Sequence, residues 1–517
     1  MEGLKALFDG FLKNHHQSES RHDFSIVWQR FTLVDILRFL RQIKKKEDFS
    51  VRVEIVTVIL TECADDWLVG SLQQEQEAIA LYKGIQEVVS SVLVPTFQDK
   101  EHYAFDENDF PSVASQAENI LSFVIVLLSR LGDLRKKNSH VCEIAKLIYK
   151  VCPHAMILAL EHVENGFWTT TTSIKKAKRL LQCLCELLDT DEYSKLLQCH
   201  LMLNDEIQRT ESTLLYKIFQ IIKSKLLRET WKKSPGAKCV FIWCLNHTSF
   251  PVLSEFLESV LPPALLFTDD YMLVNKVSGV SCLMHIVNNV SAEELRWYGR
   301  ADVILEALRH QLYTSEPTLL AKTIPAILCT LKIVEKNPQS GETTRPVSRF
   351  EEIYQQLLQN AEGENILKLR RIYTQHLHIF VEMMGISAVR YLGITLNVIG
   401  HFLEISDSPS EEARFNMLLL LQKTIRYCWP RIPCHMNSIL KMLVKCLCDL
   451  SLDSLTISGE VKTRLVTAIK EILVIMKCLN SENVKGQLGS LDCDGIPDLC
   501  REICKQVVET DVTTFTL

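Results

Sequence analysis

Few residues in this sequence have types and spacing suited to chemistry, and their arrangement argues against shared work. His376 and His378 lie two apart. On a helix that separation turns the rings about 200° from one another, which disfavours a shared metal. Asp269 and Asp270 are adjacent carboxylates beside Tyr271, where capping and the helix dipole explain them better than acid–base catalysis. The chain has 18 cysteines and no C-x-x-C. Cys183/Cys185 and Cys446/Cys448 sit two apart inside apolar runs and read as buried thiols. Cys500 and Cys504 share a helix face, yet no second pair stands nearby to complete a zinc site. The phosphate-loop, dinucleotide, zinc-protease and serine-elbow patterns are all absent. The expectation is a protein that is not an enzyme, with no catalytic residue, cofactor or metal.

Charge excludes another class. Lysine and arginine number 57 against 63 acids, for a net charge of −6 with the signs interleaved, so no protein-wide positive field marks a nucleic-acid binder. Basic runs at 44–46 and 175–179 lack interleaved aromatic rings and read as solvated helix faces. Residues 1–25 form an amphipathic segment broken by Lys13, His15 and His16, which is not a signal peptide. The longest apolar stretch, near Ile120 to Leu128, is half the ~20 residues a bilayer span needs. These readings lead to a soluble intracellular chain, cytoplasmic with a nuclear share, that binds neither membrane nor nucleic acid.

The elements that must position any site are helices. Of 517 residues, 47% are apolar, ample for a core. Glycine (18) and proline (15) are scarce, about half the usual share, which suits helix interiors. Leu214, Ile218, Ile222 and Leu226 form an i,i+4 stripe flanked by Leu215, Phe219 and Leu227, predicting an amphipathic helix over 214–228. Ser408-Pro409-Ser410-Glu411 reads as a capping box starting a helix. Trp429, preceding Pro430, should leave the α region and end that helix near Cys428, with Pro433 restarting the next. Roughly twenty helices joined by short turns, and therefore antiparallel, are expected.

A repeat organises the second half. Lys276, Lys322, Arg370, Arg414 and Lys462 are separated by 46, 48, 44 and 48 residues. Six before each stand Asp270, Glu316, Glu364, Ser408 and Thr456, acidic or hydroxylated as helix starts prefer. Seven after stand Leu283, Cys329, Leu377, Leu421 and Ile469; eleven after stand Val287, Ile333, Val381, Ile425 and Leu473. All ten are apolar. A period of 44–48 with two helices per unit is that of HEAT and armadillo repeats, which must stack to bury their faces. The fold expected is an all-α, HEAT/armadillo-like α-solenoid of antiparallel helix pairs. Its acid and base columns form a structural ladder between repeats: Asp270, Lys276, Glu316, Lys322, Glu364, Arg370, Arg414 and Lys462. Three regions follow: 1–210, degenerate helical repeats; 211–480, HEAT-like repeats; and 481–517, a C-terminal helix and tail.

Aromatic and arginine anchors dominate protein interfaces. Trp231 with Lys232, Lys233 and Pro235, then Tyr313, and then Tyr427 with Trp429 and Arg431 all fall at helix-pair corners, as does Trp297-Tyr298-Gly299. Each serves either partner binding or packing between repeats. Residues 97–117 read as an acidic loop and 337–348 as a flexible polar loop, either a binding element or a tolerated insertion.

Several runs carry a resemblance: ETWKKSP from Glu229, LESVLPPALLFTDDY ending at Tyr271, NKVSGVSCLMHIVNNV from Asn275, LYTSEP from Leu312, EEAR from Glu411 and YCWPRI from Tyr427. Across about 230–432 the chain resembles the Tel-two-interacting protein two (Tti-two) family, a subunit of the Triple T (TTT) complex. The resemblance implies a non-enzymatic HEAT-like subunit joining Tel-two and Tti-one. It further implies a cochaperone role with the Hsp-ninety machinery in the maturation and stability of phosphatidylinositol 3-kinase-related kinases, and so in DNA-damage and mTOR signalling. Residues 1–210 show no such match. From the residues alone, a generic α-solenoid scaffold or a transport adaptor of another pathway stands as the alternative.

Overall fold

The structure, a computed structural model, describes residues 2–15, 24–43, 46–70, 75–97, 105–137, 141–201, 210–335, 347–452, 457–490 and 496–510. Among them lie 26 α-helices, more than the sequence count, and no strand beyond one isolated bridge between His200 and Thr213. The chain divides into two compact units, residues 1–266 and 267–517.

The helices of the first unit that bear on function are α1 (Glu75–Ser90), α2 (Val113–Lys137), α3 (Val141–His162), α4 (Thr171–Leu187), α5 (Leu214–Ile222) and α6 (Pro235–Asn246). Helix α4 starts on a reciprocal cap. Thr170 Oγ1 accepts from the Ser173 N–H at 3.0 Å, and Ser173 Oγ accepts from the Thr170 N–H at 2.9 Å. Helix α5 is shorter than expected, because Lys223–Lys225 tighten into a 3-10 turn. That change of pitch keeps Leu226 buried but turns Leu227 out to solvent.

The segment read as an acidic loop is not a loose insertion. Residues 98–104 of it lie outside the described residues, but the aromatic rings on either side pack inward. Phe97 and Phe105 stand 4.9 Å apart by ring centroid, and buried Phe110 meets Trp168 at 5.0 Å. The Phe97 N–H donates to the Lys233 carbonyl, and the Val94 N–H donates to Glu161 Oε2 at 2.7 Å. Gly236 is required there, since a Cβ would stand 2.5 Å from Glu161 Oε1.

The second unit is a stack of antiparallel pairs: α7 (Leu273–Asn289), α8 (Arg300–His310) with α9 (Pro317–Val334), α10 (Arg349–Glu362) with α11 (Leu367–Met384), α12 (Leu392–Glu404) with α13 (Glu412–Cys428), and α14 (Met436–Leu452) with α15 (Gly459–Leu479). Helix α16 (Asp498–Glu509) closes the unit. Its last carbonyls receive the buried Lys477 ammonium, which donates to Val507, Val508 and Thr510 at 2.7–3.0 Å. Gly279 lets α7 approach the Thr268 backbone, whose nitrogen would lie 2.3 Å from any Cβ.

Helix α7 and the second helix of each of the four pairs begin one to four residues after the position the repeat gave: 273, 317, 367, 412 and 459. Thr456 itself lies outside the described residues, as does most of the 337–348 loop. Two local expectations are corrected. Ser408 does not cap α13. The chain turns through 405–411 with Glu411 in the left-handed region (φ 50°), and the buried Asp407 carboxylate accepts from the Ala413 N–H at 3.0 Å instead. Trp429 stays in the right-handed region (φ −47°, ψ −36°), because Pro430 opens a 3-10 turn, Trp429–His435, where its missing N–H costs nothing. Helix α13 does end at Cys428.

Among the described residues two stretches are apolar enough, by length and composition, to cross a membrane, Pro317–Val334 and Leu367–Glu404, both longer than the Ile120–Leu128 run. About half of the most apolar 18-residue window of each is buried.

Candidate protein-interaction surface

Ties between neighbouring second helices fix their direction. In their first halves, Asn416 Nδ2 of α13 donates to Thr374 Oγ1 of α11 at 3.4 Å; in their second halves, Lys423 pairs with Glu382 at 3.1 Å. First half meets first half and second meets second, so α11 and α13 run side by side in the same direction. Lys322 Nζ of α9 reaches Ser281 Oγ of α7 at 2.8 Å, and Gln422 of α13 reaches Glu471 of α15 at 3.5 Å. The turns within pairs therefore lie along one edge of the unit and the turns between pairs along the other.

Both edges expose apolar side chains. Tyr271, Tyr313, Ile366, Ile405 and Leu452 mark the within-pair edge, and Trp297, Tyr298, Ile386 and Trp429 mark the between-pair edge. Tyr298 is 91% exposed at positive φ, with the Arg300 guanidinium 5.5 Å from its ring.

The sequence candidates separate on this frame. Trp231 is only 3% exposed and packs in the first unit, where the Lys232 ammonium sits 5.5 Å from its ring. Tyr313 (74% exposed) and Trp429 (58% exposed) stand on opposite edges, so they do not form one site. Around Trp429 a coherent patch does form. Tyr427 is half-buried, Ile432 anchors the 3-10 turn in the core, and Arg426 and Arg431 project into solvent with no ion pair or hydrogen bond among the described residues. An exposed indole between two uncompensated cations suits an apolar, acidic partner surface. The sequence reading did not single out Arg426; its place one turn before Trp429 was the available signal.

The ladder residues take different roles. Asp270 is buried and accepts from Asn275 Nδ2 at 2.6 Å. Glu316 precedes α9 without capping it by its side chain, and Glu364 Oε1 accepts from the Ile366 N–H at 2.8 Å. Lys322 makes the tie to Ser281 described above. Lys276 and Lys462 are half-buried, and their side chains make no hydrogen bond or ion pair among the described residues. Arg370, buried, lies 3.7 Å from the Phe402 ring centroid and donates to the Glu364 carbonyl; burial lowers its pKa. Its neighbour Arg371 makes the inter-repeat link, Nε to Asp407 Oδ2 at 2.9 Å. Arg414 lies between buried Glu411 (3.5 Å) and Asp449 of the next pair (3.6 Å). Arg371 and Asp407 were missed because each stands one residue from the column the sequence followed.

Burial and mutual contact shape the candidate chemical groups. Burial lowers the pKa of both His376 and His378, which favours neutral imidazoles. Cys448 lies beside Cys500 and Cys504, a third thiol that sequence spacing did not reveal; burial pushes Cys448 to about 11, and the hydrogen bond with Cys504 raises Cys500 further. No group of three His, Cys, Asp or Glu among the described residues is placed to hold a metal ion.

Stacked helix pairs with apolar and cationic corners define a helical-repeat protein of HEAT type. The Tti2 family model matches residues 157–408. "TELO2-interacting protein 2" of Homo sapiens is 35% identical over 389 residues, 75% of this chain and 74% of that protein. The Mus musculus protein of the same name is 32% identical over 413 residues, 79% of each chain. The chain belongs to the Tti2 family. The likeness reaches well beyond the 230–432 span of the sequence runs, and the family match extends into the region before 210, where no resemblance was legible. Among solved structures, importin beta aligns over 92% of this chain and 56% of its own, at 13% identity and a TM-score of 0.44.

Proposed function

We propose that this chain is a non-catalytic scaffold of a TTT-type complex. In this reading it joins Tel-two and Tti-one and, with the Hsp-ninety machinery, supports the maturation and stability of phosphatidylinositol 3-kinase-related kinases in DNA-damage and mTOR signalling. The work is done in the cytoplasm, with a nuclear share. Relatives of this length and identity that are named for interaction with TELO2 carry the reading. The exposed Trp429 flanked by Arg426 and Arg431 supplies a fitting surface, which we assign to Tti-one. Tyr313, on the other edge, is left free for a second partner.

The test is capture of Tti-one and Tel-two by the full chain. Trp429→Ala should leave the melting temperature unchanged and weaken Tti-one capture by roughly 2 kcal/mol or more, the size of an interface hot spot. Depleting the chain should lower kinase abundance without lowering kinase transcripts. Normal kinase abundance, or recovery of nuclear-pore proteins and transport cargo in place of Tel-two and Tti-one, would favour a generic scaffold or transport adaptor.

A further inference from the structure

In the first unit, α1, α3 and α5 line an open cavity of about 470 Å³, inside the ~300–1,000 Å³ range of small-molecule sites. Helical spacing builds its walls. On α3, Lys146, Lys150 and His154 recur every four residues with Tyr149 beside them, and on α5 Lys217, Gln220 and Ile221 share a face. Tyr82 of α1 completes the lining, its ring edge-on to His154 with centroids 6.0 Å apart. Burial lowers the His154 pKa, so at neutral pH this ring offers a hydrogen bond rather than a charge.

The charges are lopsided. Lys146 is held by Glu143 at 2.7 Å. Lys150 and Lys217 are exposed at the rim and have no ion pair among the described residues; their ammonium groups lie 5.9 Å and 5.8 Å from the Tyr82 and Tyr216 rings. Among the described residues no carboxylate lines the cavity. Beside the lysines the lining is neutral, made by Tyr82, Pro153, Leu201 and Ile221. A ligand charged on every side, such as an inositol polyphosphate, would leave charges facing these apolar groups. A ligand with one polyanionic end and one flat apolar end matches both kinds of lining.

We propose that this cavity binds a nucleoside polyphosphate, with the phosphates between Lys150 and Lys217 and the base against Tyr82 and Tyr149, where the Gln220 amide can meet its edge. Lysine ammoniums act as point charges toward phosphate, and tyrosine rings give a base a stacking surface. The proposal is of binding alone, since among the described residues the lining offers neither a carboxylate base nor ligands for a divalent ion. It stands independently of the scaffold reading.

Magnesium-free ATP titrated calorimetrically into the full chain tests it, beside adenosine, inorganic tripolyphosphate and inositol hexakisphosphate. The expected result is one saturable ATP site, with each of the other three at least about tenfold weaker. The double variant Lys150→Glu, Lys217→Glu should weaken ATP by about tenfold or more at an unchanged melting temperature. Tyr82→Leu, or Tyr149→Leu if the first does not fold, should weaken ATP and spare tripolyphosphate. Absence of saturable heat up to about 1 mM ATP would overturn the proposal. So would equal affinity for inositol hexakisphosphate or tripolyphosphate, or an unchanged affinity in the lysine double variant.

Discussion

Glu161 and His162 are neighbours in sequence, both buried in the first unit, and they titrate with opposite consequences. Burial raises Glu161 from 4.5 to about 7 and lowers His162 from 6.5 to about 4. Between 4.5 and about 7 the folded chain keeps a proton on Glu161 that the unfolded chain has released, so stability falls as pH rises through that window. Between 6.5 and about 4 the unfolded chain takes up a proton that buried His162 refuses, so stability falls as pH drops. Each contribution is about 3 kcal/mol at full extent and the two offset where the windows overlap. Glu161→Gln should expose the His162 contribution alone, giving a steep loss of stability on acidification from pH 6.5. Urea unfolding measured across that range in both proteins checks it, and identical slopes would refute the assignment. At the start of α13 the paired substitutions are equally direct. Asp407→Ala removes the carboxylate that holds Arg371 and the helix N-terminus and should cost about 3 kcal/mol. Ser408→Ala, which removes no cap, should stay within about 0.5 kcal/mol by the same unfolding measurement.

Within the second helices, the column eleven residues after each base separates into two kinds. Val381 and Ile425 are fully buried, whereas Ile333 is only half-buried. The cause is where each helix starts. Helix α9 begins at Pro317, one residue after Glu316, but α11 begins three residues after Glu364. That difference of two rotates the α9 column by about 200° relative to its neighbours. Val381→Asp or Ile425→Asp should therefore cost several kcal/mol by burying an unpaired carboxylate, and Ile333→Asp much less. Denaturant unfolding of the three variants checks this; equal losses would sink the rotation argument. The helices and their period were legible in sequence because burial imposes the apolar spacing directly, as Leu377 and Leu421 illustrate. The caps were not, because Asp407 reaches Ala413 across a turn whose left-handed Glu411 no local motif announces. The candidate surface was legible only in part. Corner position marked Trp231 and Trp429 alike, and only packing decided that the first is buried and the second exposed.

On the scale of the whole molecule, family membership covers most of the chain, while the interaction surface and the nucleotide cavity are assigned to separate units. Function can therefore be dissected: Trp429→Ala should not alter ATP binding, and the Lys150/Lys217 double variant should not weaken Tti-one capture, each read in the other's assay. The ties between successive pairs carry a last implication. Lys322 to Ser281, Arg371 to Asp407 and Gln422 to Glu471 each span one junction and no more. An array coupled only to nearest neighbours behaves like a row of linked switches, whose cooperativity is no greater than that of its weakest junction. Severing Arg371 from Asp407, together with the Asn416–Thr374 and Lys423–Glu382 ties across the same junction, would then do more than lower a single melting point. It would let the pairs on the C-terminal side of α11 lose their order while those before it kept theirs, so that a partner gripping both sides of that junction would act as the missing coupling and restore one sharp transition.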